Sequence, residues 1–172
     1  MTAPGVRLVV GVTGHRRLAD APRLAANIDA ALDEITSTGL SATGPATAIR
    51  LVVLSPLAEG ADRLVAERAL ARAGAELEAV LPMSEADYER DFETDGSRAE
   101  FRSLLAHAKS VHRLPVAASR EEAYAAAGRF VVDHCDVLIA VWDGRTANGP
   151  GGTADTIAYA RSLARPFCLI KP

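Results

Sequence analysis

The chain has 172 residues, is 49% apolar and 24% charged, and carries a formal net charge of −3. That length and balance predict one globular domain spanning residues 1–172, with a substantial buried core. An acidic balance gives no general attraction to nucleic-acid phosphate, so a nucleic-acid partner is not expected. No apolar run reaches the roughly 18 residues of a membrane span, so neither is a membrane. The opening MTAPGVRLVVGV has no basic region and runs straight into a strand pattern, which predicts no signal peptide and a cytoplasmic protein. Cys135 and Cys168 lack metal-ligand spacing and read as reduced thiols, so no metal and no required cofactor is expected.

In chain order, Val6 to Val12 is a strand that ends in Thr13-Gly14-His15-Arg16. A helix opens at Asp20 or Pro22 and runs to about Thr36, with Leu24, Ile28, Ala31, Leu32 and Ile35 on one face. Ser37 to Thr47 reads as a loop. Ile49 to Leu54 is a second buried strand, followed by the polar crest Ser55 to Asp62 and a helix from about Ala61 to Ala73, closed by Gly74. Leu77 to Leu81 is a third strand. The more polar stretch 84–108 reads as two short helices divided near Asp95-Gly96, either a lid or a solvated pair. Val111 to Leu114 is a short strand and Glu121 to His134 a helix. Val137 to Trp142 is an apolar strand without polar alternation, as suits a parallel strand covered on both faces. A glycine turn, Asn148 to Gly152, leads to a helix that Thr153 can cap and that ends near Leu163; Phe167 to Ile170 is the last strand.

Strands alternating with helices predict an α/β domain, Rossmann-like and three-layered, with a mainly parallel central sheet and helices on both faces. In such folds the ligand crevice lies outside the carboxyl ends of the strands. The first, second and penultimate strands each end in a polar or glycine-bearing crest, which predicts one shared site. Its ligand-binding candidates are Gly14, His15 and Arg16; Ser55, Glu59, Gly60 and Asp62; and Asp143, Gly151, Gly152 and Thr153. The glycine turn and helix N-terminus suit a phosphate, Arg16 can pair with it, Asp143 can accept ribose hydroxyls and Trp142 can stack on a base. Asp62 also reads as a helix cap. His107, His112 and His134 read as structural or exposed. Neither a Walker A sequence nor G-x-G-x-x-G is present, so magnesium–triphosphate machinery has no candidate.

The stretch LSPLAEGADRLVAERAL, Leu54 to Leu70, resembles the S-G-x-A-x-G-I-D-x-x-A-H-x-x-A-L signature of the DNA-processing protein A family. GPGGTADTIAYA, Gly149 to Ala160, is similar to the P-G-G-x-G-T-x-x-E loop of Lonely Guy phosphoribohydrolases, and GVTGHR, Gly11 to Arg16, fits the turn that opens such domains. These families belong to the SLOG superfamily of nucleotide-binding domains. DVLIAVWDG with GGTADTIAYA also resembles nucleoside 2-deoxyribosyltransferases. The resemblance implies a small-molecule nucleotide ligand and a homodimer. The glutamate that these enzymes use in catalysis falls on Thr156, and no other catalytic residue is assigned. Ligand binding or sensing is therefore the expected function. The alternative is a phosphoribohydrolase or deoxyribosyltransferase whose carboxylate has moved, with Glu59, Asp62 or Asp155 as substitutes.

Overall fold

The fold is described from a computed structural model, for residues 5–43, 48–146 and 151–172. The elements are β1 (Val6–Gly14), α1 (Ala21–Thr43), β2 (Ile49–Ser55), α2 (Ala61–Leu70), β3 (Glu76–Leu81), α3 (Glu85–Glu89), α4 (Asp95–His107), β4 (Ser110–Arg113), α5 (Arg120–His134), β5 (Val137–Val141), α6 (Thr153–Ser162) and β6 (Phe167–Ile170). All strand pairs are parallel, in a six-stranded sheet of order β4-β3-β2-β1-β5-β6. The chain thus builds outward from β1 to β4, then returns to lay β5 against the free side of β1, with Gly14 opposite Val141.

That reversal decides which helix covers which face, because parallel crossovers keep one hand. Successive strand side chains point to opposite faces, so each strand contributes to two cores. Val10, Val12, Val53 and Ile139 pack with Leu24, Ile28 and Leu32 of α1 and Val65 and Ala69 of α2. Val9, Val52, Val80 and Leu138 pack on the other face, with Ala127 and Val131 of α5 and Ala160 of α6. Sequence and structure agree on fold class and on the order of elements.

Three local differences have physical reasons. First, α1 continues past Thr36 to Thr43, into what reads as loop. The hydroxyls of Thr36 and Ser41 donate to the carbonyls of Leu32 and Ser37, at 2.7 and 3.0 Å, so their polarity is satisfied inside the helix. The rest of that loop (44–47) and the Asn148-Gly149-Pro150 turn lie outside the described residues. Second, the break expected near Asp95-Gly96 ends just before Asp95, because the Thr94 side chain caps α4 by accepting from the Ser97 amide. Third, the 84–108 stretch is neither a loose lid nor a solvated pair. Tyr88, Phe92 and Phe101 are fully buried, with ring centroids 4.9 Å (Tyr88–Phe92), 5.5 Å (Tyr88–Phe101) and 5.0 Å (Phe92–Phe101) apart. In a chain with 5% aromatic residues, this cluster is a local concentration of bulk that fixes α3 and α4 to the sheet's carboxyl end.

Phe101→Ala is therefore expected to lower the free energy of unfolding by about 3–5 kcal/mol, within a single cooperative transition in urea. A loss below about 1 kcal/mol would mean that the segment is not part of the core.

Candidate functional site

β1 and β5 lie side by side, yet the chain leaves β1 for a helix on one face and β5 for a helix on the other. The two exits diverge and open a crevice at the carboxyl end of the sheet, which is the topological switch point of a doubly wound fold. A cleft of about 530 Å³ lies there. Gly14, His15 and Arg16 line it from the β1 exit, and Trp142, Asp143, Arg145 and Thr146 from the β5 exit. Gly151 to Ala154 contribute the approach to α6, Tyr124 and Gly128 come from α5, and Asp62 and Tyr88 are its most deeply buried polar residues.

His15 ties the crests together. Its amide donates to the Val141 carbonyl at 3.1 Å, and its own carbonyl accepts from the Ala61 amide at 3.0 Å. Its Nε2 lies 3.2 Å from the Asp143 amide nitrogen and 3.3 Å from the Asp143 carboxylate. The Asp143 carboxylate accepts from the Arg145 amide at 2.9 Å. That bond, with His15 and Arg145 nearby, holds Asp143 below the usual carboxylate range, so an ionised acceptor faces the cleft. Trp142 lies on the same wall, its indole N–H fixed by the Arg145 carbonyl at 2.8 Å.

The second crest contributes mainly architecture. Ser55 is fully buried; its hydroxyl donates to the Asp62 carbonyl at 3.1 Å and accepts from the Leu57 amide at 3.0 Å. Those bonds fix Leu57 at φ 59, a left-handed conformation that costs a non-glycine residue about 1–2 kcal/mol. Gly60 has φ 85 and lies where any Cβ would collide with the carbonyls of His15 and Arg16, so it lets the second crest pack under the first. Glu59 accepts from the Glu93 amide at 3.1 Å and from the Ser97 hydroxyl, in a neighbouring depression. Ser55, Glu59 and Gly60 therefore shape the cleft without lining it. Gly14, His15, Arg16, Asp62, Asp143, Gly151, Gly152 and Thr153 do line it.

Asp62 is not a helix cap. Gly60 holds that position without a side-chain bond, and the Asp62 carboxylate turns back to accept from the Ala58 amide at 3.3 Å. Burial pushes its pKa up to about 7, against the pull of that amide, Arg16 and Arg63. Arg63 is itself buried, bonded through Nε to the Leu57 carbonyl at 3.0 Å and paired with Glu100 at 2.8 Å. Its guanidinium lies 4.4 Å from the centre of the Phe92 ring. It carries the strained crest onto α4.

Arg16 has no carboxylate partner within ion-pair distance among the described residues, and its guanidinium stands 5.3 Å from the centre of the Tyr124 ring. Burial would weaken its charge, but Tyr124, Tyr88 and Asp91 outweigh that and raise its pKa. The Tyr124 hydroxyl donates to Asp91, which also pairs with Arg120 at 3.0 Å. Tyr88 is fully buried, and its hydroxyl has no hydrogen-bond partner among the described residues.

At α6, Thr153 does not cap the helix. Gly152 occupies the cap position with no side-chain bond, and the Asp155 carboxylate takes the Gly151 amide at 2.9 Å. Among the described residues, the amides of Gly152, Thr153 and Ala154 have no acceptor. Thr156, at the glutamate position of the resembled enzymes, is buried, and its hydroxyl donates to the Gly152 carbonyl at 3.3 Å. A Cβ on Gly128 would come 2.6 Å from that hydroxyl, so α5 and α6 meet here at closest range. Sequence reasoning missed Tyr88 and Tyr124. Tyr88 lies in a stretch whose polarity suggests solvent, and Tyr124 lies in an alanine-rich helix with no motif around it. His107, His112 and His134 bond to Ser103, Glu78 and Phe130, away from the cleft.

Among the described residues there is no cluster of metal ligands, and no helix is long and apolar enough to cross a membrane. Both cysteines are free thiols, and burial pushes Cys135 up to about 11. No protein-family model matches the chain, and comparison with curated proteins gives no match.

A carboxyl whose folded pKa is raised opposes folding once it must ionise. Its cost is absent below the unfolded value near 3.8, grows as pH rises and is fully present above about 7. Wild-type stability should therefore fall across that window relative to Asp62→Asn, by at most about 4 kcal/mol. Urea midpoints from pH 4 to pH 8 that stay parallel for the two proteins would contradict the burial argument.

Proposed function

We propose that the cleft binds a nucleotide or nucleotide-derived phosphorylated ligand, and that the protein acts as a SLOG-type binding or sensing domain. One observation carries this: the N-terminus of α6 and the Arg16 guanidinium, which has no carboxylate partner among the described residues, face the same switch-point cleft. A helix N-terminus offers donors and a positive dipole end, and a guanidinium adds a planar, charged fork. Phosphate would meet the amides of Gly152, Thr153 and Ala154, since Asp155 already occupies that of Gly151. Asp143, ionised at the β5 exit, would accept from a ligand hydroxyl outside the deep end, and Trp142 would stack on the base. The resemblance of Gly149 to Ala160 and of Leu54 to Leu70 to SLOG motifs supports the same reading and implies a homodimer. Free thiols at Cys135 and Cys168 suit a cytoplasmic setting.

A second reading, N-glycosidic hydrolysis or transfer, is favoured by Asp62 alone. It is the buried carboxyl on the cleft, and one poised near neutrality suits proton transfer. Glu59 and Asp155 do not line the cleft, which removes them as substitutes for the missing glutamate. Chromatographic detection of free base from AMP, abolished in Asp62→Asn, would establish turnover; its absence alongside tight binding would leave a sensor.

Calorimetry with AMP and ADP-ribose is expected to show saturable binding that Arg16→Ala weakens at least about tenfold, as loss of a charge-assisted hydrogen bond implies. At 100 times its dissociation constant, the ligand should stabilise the fold by about 2.7 kcal/mol. No heat and no stabilisation with either nucleotide would refute the proposal.

A further inference from the structure

We infer that the deep end of the cleft, built from the Asp62 carboxyl and the Tyr88 hydroxyl, is a subsite for the paired hydroxyls of a sugar, so that the ligand is a ribose phosphate unit read at both ends. This rests on the proposal that the cleft takes a phosphorylated ligand. The Tyr88 hydroxyl is the observation behind it. The residue is fully buried, lines the cleft and leaves its oxygen without a hydrogen-bond partner among the described residues. Native interiors rarely leave such a group unpaired, and a Tyr hydroxyl both donates and accepts. A phenylalanine would fill the same aromatic cluster with Phe92 and Phe101 without that unpaired group, so packing alone does not explain the oxygen.

Asp62 gives the complementary function. One of its oxygens is held by the Ala58 amide, which leaves further acceptor capacity on a carboxyl lining the same cleft. A carboxyl at the deep end repels an anion, so phosphate belongs at the Arg16 and α6 side. A vicinal diol fits the deep end instead: one hydroxyl donates to Asp62, and the other exchanges a hydrogen bond with Tyr88. The two ends then select a sugar phosphate over phosphate alone.

Calorimetry with inorganic phosphate, ribose 5-phosphate and 2-deoxyribose 5-phosphate on the wild type, Tyr88→Phe and Asp62→Asn provides the test. Thermal unfolding of each ligand-free protein controls for folding. The wild type is expected to bind ribose 5-phosphate at least tenfold more tightly than either phosphate or the deoxy sugar. Both substitutions should collapse that preference, and neither should weaken phosphate binding. Ligand-free Tyr88→Phe should melt no lower than the wild type, because it loses an unpaired buried group. Phosphate binding with no preference for the diol, or a preference that survives in Tyr88→Phe, would overturn the subsite alone. Failure of all three probes to bind would overturn the phosphorylated-ligand reading as well.

Discussion

The arrangement depends on one constraint: two neighbouring strands, β1 and β5, send their chains to opposite faces of the sheet. Parallel crossovers of one hand leave no other outcome once the strand order reverses at that boundary. The divergence removes backbone from the carboxyl edge at one place only in the strand order, and the cleft lies there. Gly14 and Val141, paired in register, mark the last point at which the two strands hold together. Beyond them the two chains separate, and polar residues such as His15, Arg16 and Asp143 line the opening.

Keeping this crevice open requires rigid walls. His15 bridges three chain segments through its backbone and ring, so the β1 exit cannot collapse onto the β5 exit. Leu57 is held in a conformation it would not choose, by Ser55 on one side and Arg63 on the other. Arg63 passes that restraint to α4 through Ser97 and Glu100. The aromatic cluster of α3 and α4 backs the same region. Strain and buried polarity of this kind persist where a surrounding structure over-determines them, as at Leu57 and Arg63.

Apolar runs and turn residues made the fold legible. Strands such as Val137 to Val141 and Phe167 to Ile170 announce themselves because a strand covered on both faces needs no polar position. The extension of α1 was not legible, since Ser and Thr in a helix satisfy themselves locally and look like loop from outside. At the site, glycine and charge at strand ends pointed to the right edge, but not to which atoms face the cleft. Ser55 and Gly60 sit in the crest for backbone reasons, and a local sequence gives no sign of whether a hydroxyl is turned inward to Asp62. Asp62 looked like a cap because of its place in the first helical turn, whereas its burial comes from residues far away in the chain. Tyr88 reached the cleft only through the packing of α3, and nothing near it in sequence carries that information.

An anion held by open amides at the start of α6 and by the β1 exit is the claim on which the functional account stands. Amide-resolved NMR during a titration with inorganic phosphate tests it most directly. Saturable shifts confined to Gly152, Thr153, Ala154 and the His15–Arg16 exit are the expected result. Shifts that centre on another part of the surface, or none that saturate, would contradict the account.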